Sequence, residues 1–429
     1  MKRPQIADLP NTFDHCIGED KPDAHLSQTF QFELITPMFG GDAKSWQLDI
    51  KNPVRTASVK GSLRFWWRTL QNESDITKLL NAENSLWGGN TNIGEESNQS
   101  IKSPVSIAII DQNEIVTTLI KTTQNGDRLG DNCIPKYILF PIIQNVTQNN
   151  EEINIVKKLS FKLLISYPEN RQTEVLNTLK LWMLFGGVGA RTRRGTGSLY
   201  CEELTKGLVS KADINNLLLD LGDASKPKKR EGYPRLTGAK LFLGDASWGK
   251  LIQDYEKYRQ ARTPGNPPGR SYWPEPDAIR LITTQAAPTH PPIHPDKKWF
   301  PRAAFGLPIF TKFKTCLDPH APNQIELEPD MNHIRNVGNS KGSARFPSPM
   351  ILKTIRLANR QTLSCCLVLN QQFPTKLKLK VGNTEHDIVG NMLPFAPNEQ
   401  KTMRTDLPLQ ANECIYDHLA RSLGLEKMP

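Results

Sequence analysis

The sequence has no long hydrophobic run and no set of paired cysteines. No apolar stretch approaches the length of roughly 20 residues that a membrane-spanning helix needs. The N-terminal MKRPQIADLP lacks the apolar centre of a signal peptide. The seven cysteines include no C-x-x-C pair, and an odd count without a framework is typical of a reducing compartment. We therefore expect a cytoplasmic protein with no membrane association.

Motifs for metal-dependent or acid–base catalysis are scarce. No H-E-x-x-H zinc motif occurs, and His290 and His294 lie in HPPIH, where the prolines prevent the i, i+4 spacing of a helical zinc pair. Asp42 and Asp49 follow the first predicted strand and could hold a metal or act as a base on RNA. Loop aspartates are more often simply solvated. We expect no catalytic residue, no metal site and no cofactor.

The chain is basic, but only moderately. Its 429 residues suffice for two or three domains, and 54 basic against 44 acidic residues give a net charge of +10. Such an excess is weak evidence for nucleic acid on its own. The placement of the basic residues is more informative than their number.

The segment 186–198, here called the glycine–arginine loop, combines five glycines with Arg191, Arg193 and Arg194 and contains no acid. Apolar residues at helical spacing precede it, so the glycines are expected to end a helix. This order is wrong for a dinucleotide fingerprint or a P-loop, in which the glycines open a helix. Planar arginine guanidinium groups beside a flexible glycine backbone favour the binding of a polyanion. The alternative is an ordinary helix stop with solvated arginines.

A second basic stretch covers residues 51–70, with five basic residues and again no acid. Arg55 precedes a helix that we predict from Val59 to about Gln71, capped by Ser58. One helical stripe is apolar and is expected to face the core, and Lys60, Arg64 and Arg68 form a second stripe. That basic stripe is interpreted as an RNA-facing surface, with a merely solvated face as the alternative.

The order of predicted elements in the first half is strand, helix, strand, strand, helix, strand, which is the ferredoxin-like arrangement. Residues 111–152 are interpreted as an insertion or extended hairpin. The polar segment 221–235 is interpreted as a linker, which sets predicted domains at 1–220 and 236–429. The fold class is predicted to be α+β, with two ferredoxin-like, RRM-like domains that carry insertions.

The second half contains a proline- and glycine-rich segment with interleaved arginines and aromatics. Arg270, Trp273 and Arg280 suit stacking on bases together with contacts to phosphates. A proline-stiffened loop whose tryptophan packs on the core is the alternative. Both interpretations stay open at the level of sequence.

Four of these stretches together resemble the RAMP superfamily of CRISPR proteins: TPMFGG at 36–41, SVKGSLRFWWR at 58–68, GGVGARTRRG at 186–195 and GRSYWPEPDAIR at 269–280. Within it they are similar to the family of subunit one of the Cmr complex, the type III-B RNA-guided effector. The stretches 300–309 and 345–353 match the same family. Thr196 departs from the pattern, because the family's loop usually has an aromatic residue there.

The resemblance implies a non-catalytic, RNA-binding subunit with two ferredoxin-like domains. Its partners would be the guide crRNA, the target RNA and other Cmr complex subunits, and it would hold the 3′ region of the guide at one end of the filament. The expected RNA-binding residues are Arg55, Lys60, Arg64, Arg191, Arg193, Arg194, Arg270, Trp273, Arg280, Arg302 and Lys353.

Two other classes of function compete with this hypothesis. The runner-up is a guide-RNA-processing endoribonuclease of the same superfamily, for which His15 or His25 are the nearest candidates for a general base. The third possibility is a scaffold that contacts only protein.

Overall fold

The computed structural model describes the following residues: 24–42, 47–91, 99–122, 128–130, 133–139, 152–222, 233–264, 269–285, 298–313, 322–330, 345–393, 404, 406–410 and 412–429. The described chain mixes helices with several antiparallel sheets, so the predicted α+β class is confirmed. Within these ranges no helix has the length and apolar character needed to cross a membrane.

The first half forms one ferredoxin-like unit with additions. Its strands and helices are β1 (His25–Leu34), β2 (Met38–Phe39), α1 (Thr56–Leu70), α2 (Ile76–Trp87), β3 (Gly89–Thr91), β4 (Gln99–Ile101), β5 (Ser106–Thr122), β6 (Arg128–Gly130), β7 (Ile153–Pro168), α3 (Gln172–Phe185), β8 (Leu199–Tyr200), α4 (Glu202–Thr205) and α5 (Lys211–Gly222). The sheet runs β6-β5-β7-β1-β8, with β2 paired to β7. The four strands β8-β1-β7-β5 thus have the ferredoxin-like order, with antiparallel neighbours.

The second half repeats this order. Its elements are β9 (Arg235–Gly244), α6 (Trp248–Arg259), α7 (Glu275–Thr283), β10 (Ile309–Thr311), β11 (Ile325–Pro329), β12 (Met350–Arg356), β13 (Thr362–Asn370), β14 (Lys376–Val381), β15 (Thr384–Val389), α8 (Ile415–Ser422) and β16 (Glu426–Lys427). The sheet β12-β13-β9-β16 is the second ferredoxin-like sheet, and β10-β11-β14-β15 form a further sheet from two insertions.

One core joins the two units. Phe32 of β1 stacks on Phe161 of β7 with ring centroids 5.3 Å apart, and Trp182 of α3 meets Phe32 edge-on at 5.2 Å. On their other side, α1 contacts β9 and α3 contacts β12. The helices of the first unit therefore lie between the two sheets. The division into domains 1–220 and 236–429 stays a prediction, since residues 223–232 of the linker lie outside the described residues.

The second sheet is buried on both faces. Cys365 and Cys366 of β13 are both fully buried; Cys365 belongs to the core shared with α1 and α3, and Cys366 to the core around α6 and α8. These adjacent cysteines therefore face opposite sides of the strand. Strands buried on both faces have near-continuous apolar sequences, as TLSCCLVLN does.

Several local expectations differ from the structure. Helix α1 begins at Thr56, and the extended Arg55, not Ser58, occupies the N-cap position. Strand β5 continues to Thr122, so the predicted insertion begins as an extension of the sheet. Helix α7 lies in the proline-rich segment, because prolines are tolerated in the first turn of a helix, where Pro276 lies.

Candidate nucleic-acid interface

A cleft of about 140 Å³ separates the first two turns of α1 from the glycine–arginine loop. Its walls come from the two glycines after β2, the start of α1 and the beginning of the loop. The lining residues are Gly40, Gly41, Pro53, Val54, Arg55, Ser58, Val59, Ser62, Gly187, Val188, Gly189 and Thr192. The cleft thus brings together three segments that are widely separated in the sequence.

Glycine is required where the loop passes the other segments of the first unit. Gly187 and Gly189 have φ of +147° and +80°, which L-residues rarely adopt. A Cβ on Gly187 would lie 2.5 Å from the carbonyl oxygen of Gly197, and one on Gly189 would lie 2.8 Å from that of Phe39. The Ala190 N–H donates to the Phe39 carbonyl at 2.7 Å. The close approach of these backbones defines the cleft.

The start of α1 gives the cleft a positive end. The first N–H groups of a helix have no partner inside the helix, and the helix dipole adds partial positive charge there. Helix α1 has no acidic residue in its first turn, and its N-cap residue makes no side-chain capping bond. Arg55 is exposed at this end, and Ser58 and Ser62 follow along the same face. Backbone donors, hydroxyls and a cation therefore converge on one cleft.

The basic stripe of α1 turns away from the cleft toward α2. Glu83, which is buried, accepts a bond from Arg64 Nε at 2.5 Å and from Arg68 NH1 at 2.7 Å. Arg64 also donates to the Gly88 carbonyl at 2.8 Å. Burial and the neighbouring Arg64 lower the pKa of Lys60. The stretch 51–70 has no acid of its own, but Glu83 of the next helix supplies a carboxylate partner to the basic stripe that was interpreted as an RNA-facing surface.

Two arginines of the glycine–arginine loop connect the units. Arg193 donates to the Ser348 carbonyl, and its guanidinium lies 5.2 Å from the Phe65 ring centroid. Arg194 donates to the Met350 carbonyl at 3.3 Å. Burial first, and then Arg194, lower the pKa of Arg193 to about 10. The alternative of freely solvated arginines therefore does not hold for these two partly buried side chains, because they bind carbonyl groups at the start of β12.

Arg191 differs from its neighbours. It is exposed, has a φ of +60°, and donates through Nε to the Ile138 carbonyl at 3.2 Å. Thr196 is fully buried and donates to the Ala190 carbonyl, so at this position the loop is closed by an internal bond. Arg191 is the loop arginine most accessible to a ligand.

Lys353 lies beneath the loop. It is fully buried on β12, its Nζ donates to the Gly186 carbonyl, and burial lowers its pKa to about 7. A residue in this position supports the loop from inside and does not reach an RNA on the surface.

The arginines and the tryptophan of 270–302 belong to the interior of the second unit. Trp273 is fully buried, and its Nε1 donates to the Tyr258 carbonyl at 2.9 Å. Asp277 lies 3.3 Å from Arg270 and 3.7 Å from Arg280, which is itself buried, while Glu275 pairs with Arg302 at 3.1 Å. The structure agrees with the alternative interpretation, in which Trp273 packs in the core. The acids Glu275 and Asp277 enter through helix α7, which the sequence interpretation missed.

The proposed catalytic candidates do not meet in one site. Asp49 accepts the N–H groups of Lys51 and Asn52 and so closes a turn. His25 opens β1 opposite Pro168 at one end of the sheet. His15 and the HPPIH segment lie outside the described residues. In the part of the chain that the structure describes, no three His, Cys, Asp or Glu side chains cluster as metal ligands would.

The amino-acid sequence matches one family of known proteins. Residues 31–200 match the family model described as RAMP superfamily. This match covers less than half of the 429-residue chain. It is similar to the CRISPR system Cmr subunit Cmr1-1 of Pyrococcus furiosus, with 24% identity over 225 residues, which are 51% of this chain and 61% of that protein. The match thus spans less than two thirds of that relative. Subunit Cmr1-2 of the same organism is 24% identical over 194 residues, 42% of this chain and 97% of that protein.

Two solved structures align with most of this chain. The crystal structure of Cmr1 from Pyrococcus furiosus aligns with 94% of this chain and 98% of its own, at 17% identity and a TM-score of 0.46. A chain in the cryo-EM structure of the Type III-B Cmr-beta bound to cognate target RNA aligns with 93% of this chain and 99% of its own, at 12% identity and a TM-score of 0.48.

Proposed function

We propose that this chain is an RNA-binding subunit of a cytoplasmic type III-B CRISPR effector, the Cmr complex. Its relatives in Pyrococcus furiosus are Cmr subunits by name, which supports the assignment to such a complex. The observation that carries RNA binding is the cleft between α1 and the glycine–arginine loop. Its partners are the guide crRNA, the target RNA and the neighbouring Cmr subunits.

The cleft suits a sugar–phosphate backbone better than a base. Main-chain N–H groups at a helix start bind phosphate without further specialisation. Glycines at 40, 41, 187 and 189 allow another backbone to approach closely. Arg55 and Arg191 supply the positive charge at the surface. Contacts of this kind position an RNA strand and carry little sequence information.

In this proposal the subunit does not cut RNA. Its role is to hold the 3′ region of the guide, with the target, at one end of the filament. Asp49 is occupied in a turn, and the described histidine near β1, His25, lies at a strand end. The competing function, a guide-RNA-processing endoribonuclease, needs a general base beside the bound strand. Neither Asp49 nor His25 lies among the residues that line the cleft.

Crosslinking tests this proposal. Photocrosslinking of the purified chain to 4-thiouridine RNA, followed by mass spectrometry, should place crosslinks in peptides that contain residues 38–42, 55–62 and 187–192. The same RNA, incubated with Mg²⁺, should stay intact. Crosslinks confined to β10, β11, β14 and β15 would contradict the proposed site. Divalent-dependent cleavage that disappears in Asp42→Ala would favour the endoribonuclease.

A further inference from the structure

Three arginines, Arg191, Arg194 and Arg259, lie near Tyr137 and the α6 residue Tyr255, and none of them forms an ion pair with a carboxylate among the described residues. The guanidinium of Arg194 lies 5.1 Å from the Tyr255 ring centroid. Arg191 precedes it in the glycine–arginine loop and is tied to the segment 133–139 through the Ile138 carbonyl. Arg259 follows Tyr255 by four residues on α6; its guanidinium lies 5.2 Å from the Phe305 ring centroid, and its NH1 donates to the Arg302 carbonyl at 3.4 Å. Both units of the molecule contribute to this cluster.

Tyr137 forms the second wall of the cluster. Its ring meets that of Tyr255 edge-on, with centroids 5.7 Å apart and an interplanar angle of 82°. Tyr255 is almost fully buried and Tyr137 is half-buried. A phenol hydroxyl is a neutral donor that can bind an anion beside a guanidinium. The segment 133–139 thus brings a possible hydrogen-bond donor to the three arginines.

The charges around the cluster do not balance. Among the residues described, no carboxylate oxygen lies within 4.0 Å of Arg191, Arg194 or Arg259. Burial opposes the charge of Arg259, but Tyr255, Tyr137 and then Glu275 raise its pKa, and Glu275 forms its own ion pair with Arg302 at 3.1 Å. Glu256, on the same helix, faces Lys136. Although part of the Arg191 side chain reaches solvent, desolvation by the surrounding protein first, and then Arg194, lower its pKa. Cations held together in a partly desolvated place are unfavourable until an anion joins them.

We propose that Arg191, Arg194 and Arg259, with the hydroxyl of Tyr137, form a binding site for one phosphate group at the junction of the two units. Guanidinium forks match the geometry of phosphate oxygens, and aromatic rings hold the guanidinium planes in place. The site shares Arg191 with the proposed RNA-binding surface at α1, but Arg194, Arg259 and Tyr137 do not line the cleft there. The phosphate bound here is either an RNA phosphodiester or a free phosphate ion. Only the first of these sources rests on the proposed RNA-binding function.

Thermal melting in inorganic phosphate against chloride, at equal ionic strength and pH, tests the site without RNA. Phosphate should raise the melting temperature of the wild-type chain in a saturable manner. Arg259→Gln and Tyr137→Phe should raise the half-saturating concentration about tenfold, since each removes one bond to a charged group. Arg262→Gln, an exposed arginine three residues further on, is the matched control and should behave as wild type. If Arg259→Gln does not fold, Tyr137→Phe decides, because it keeps the ring and the net charge.

A second arm identifies the source of the phosphate. If the RNA backbone supplies it, both variants weaken binding of single-stranded RNA about tenfold and inorganic phosphate competes with RNA. If a free ion supplies it, RNA affinity is unchanged while the half-saturating phosphate concentration still rises about tenfold; either result supports the site. Identical melting in phosphate and chloride, with wild-type RNA binding by both variants, overturns it. That result would not bear on RNA binding at the cleft. If phosphate stabilises the chain but the chain binds no RNA, the proposed function is wrong and this phosphate site still stands.

Discussion

The accessibility of a basic residue depends on partners that are distant in sequence. Lys353 and Arg193 belong to motifs that resemble RNA-binding stretches, yet both are bound to carbonyl groups inside the molecule. Arg55, in contrast, stays exposed at the start of α1. From the sequence alone, all three residues were expected to bind RNA. It could not distinguish them, because the carbonyls of Gly186 and Ser348 become neighbours only after the two units pack.

Lys353 gives a prediction about pH. Its pKa of about 7 in the folded chain lies below the ordinary lysine value near 10.5, so above pH 7 the unfolded chain binds more protons. The contribution of Lys353 to stability should therefore rise with pH through this window. Cys365 faces Lys353 across the β12–β13 register, and burial raises the pKa of its thiol, which opposes the rise above about pH 8.5.

The measurement is urea unfolding of wild type and Lys353→Met between pH 7 and 8.5. The free energy of unfolding of the wild type, relative to the variant, should increase by up to about 1.4 kcal/mol per pH unit. The exposed substitution Lys206→Met serves as the control and should leave the pH dependence unchanged. A difference between wild type and Lys353→Met that does not vary with pH would show that Lys353 is not held as described.

At the scale of elements, periodic patterns predicted most of the ferredoxin-like cores. The helix expected before the glycine–arginine loop is α3, at 172–185, and the helix expected from Val59 to about Gln71 is α1, at 56–70. Helices α2, α4, α5 and α7 were missed. In α7 the prolines concealed the helix, since Pro276 occupies a first-turn position where it costs no hydrogen bond. The sheet β10-β11-β14-β15 depends on pairing between two distant insertions, which no local pattern shows.

The pairing of α1 with α2 depends on Glu83. This buried carboxylate accepts bonds from Arg64 and Arg68, whose side chains are about one third exposed. Glu83→Gln should lower the free energy of unfolding by about 1–3 kcal/mol, less than the loss of a fully buried ion pair, because water still reaches both arginines. Chemical denaturation measures this change. Glu169→Gln, at an exposed position just before α3, should change stability little, and an equal decrease in both variants would contradict a special role of Glu83.

At the scale of the whole molecule, the glycine–arginine loop lies where the two units meet. One end of the loop forms the cleft with α1, and the other end holds β12 through Arg193 and Arg194. Substitution of all three loop arginines therefore combines two effects, a decrease in surface charge and a weaker junction between the units. Arg55 and Arg191 are exposed and separate the first effect from the second.

The slope of RNA affinity against salt concentration tests the central claim most directly. Removing one cation that binds a phosphate should reduce the slope of log K against log salt by roughly 0.7 for a single strand. Arg55→Gln should therefore flatten the slope by about 0.7 and Arg55→Gln/Arg191→Gln by about 1.4, equally for unrelated RNA sequences and with unchanged melting temperatures. The double control Lys206→Gln/Arg262→Gln removes the same charge from exposed positions outside the cleft. Equal slopes for wild type and the Arg55→Gln/Arg191→Gln variant would contradict RNA binding at the cleft.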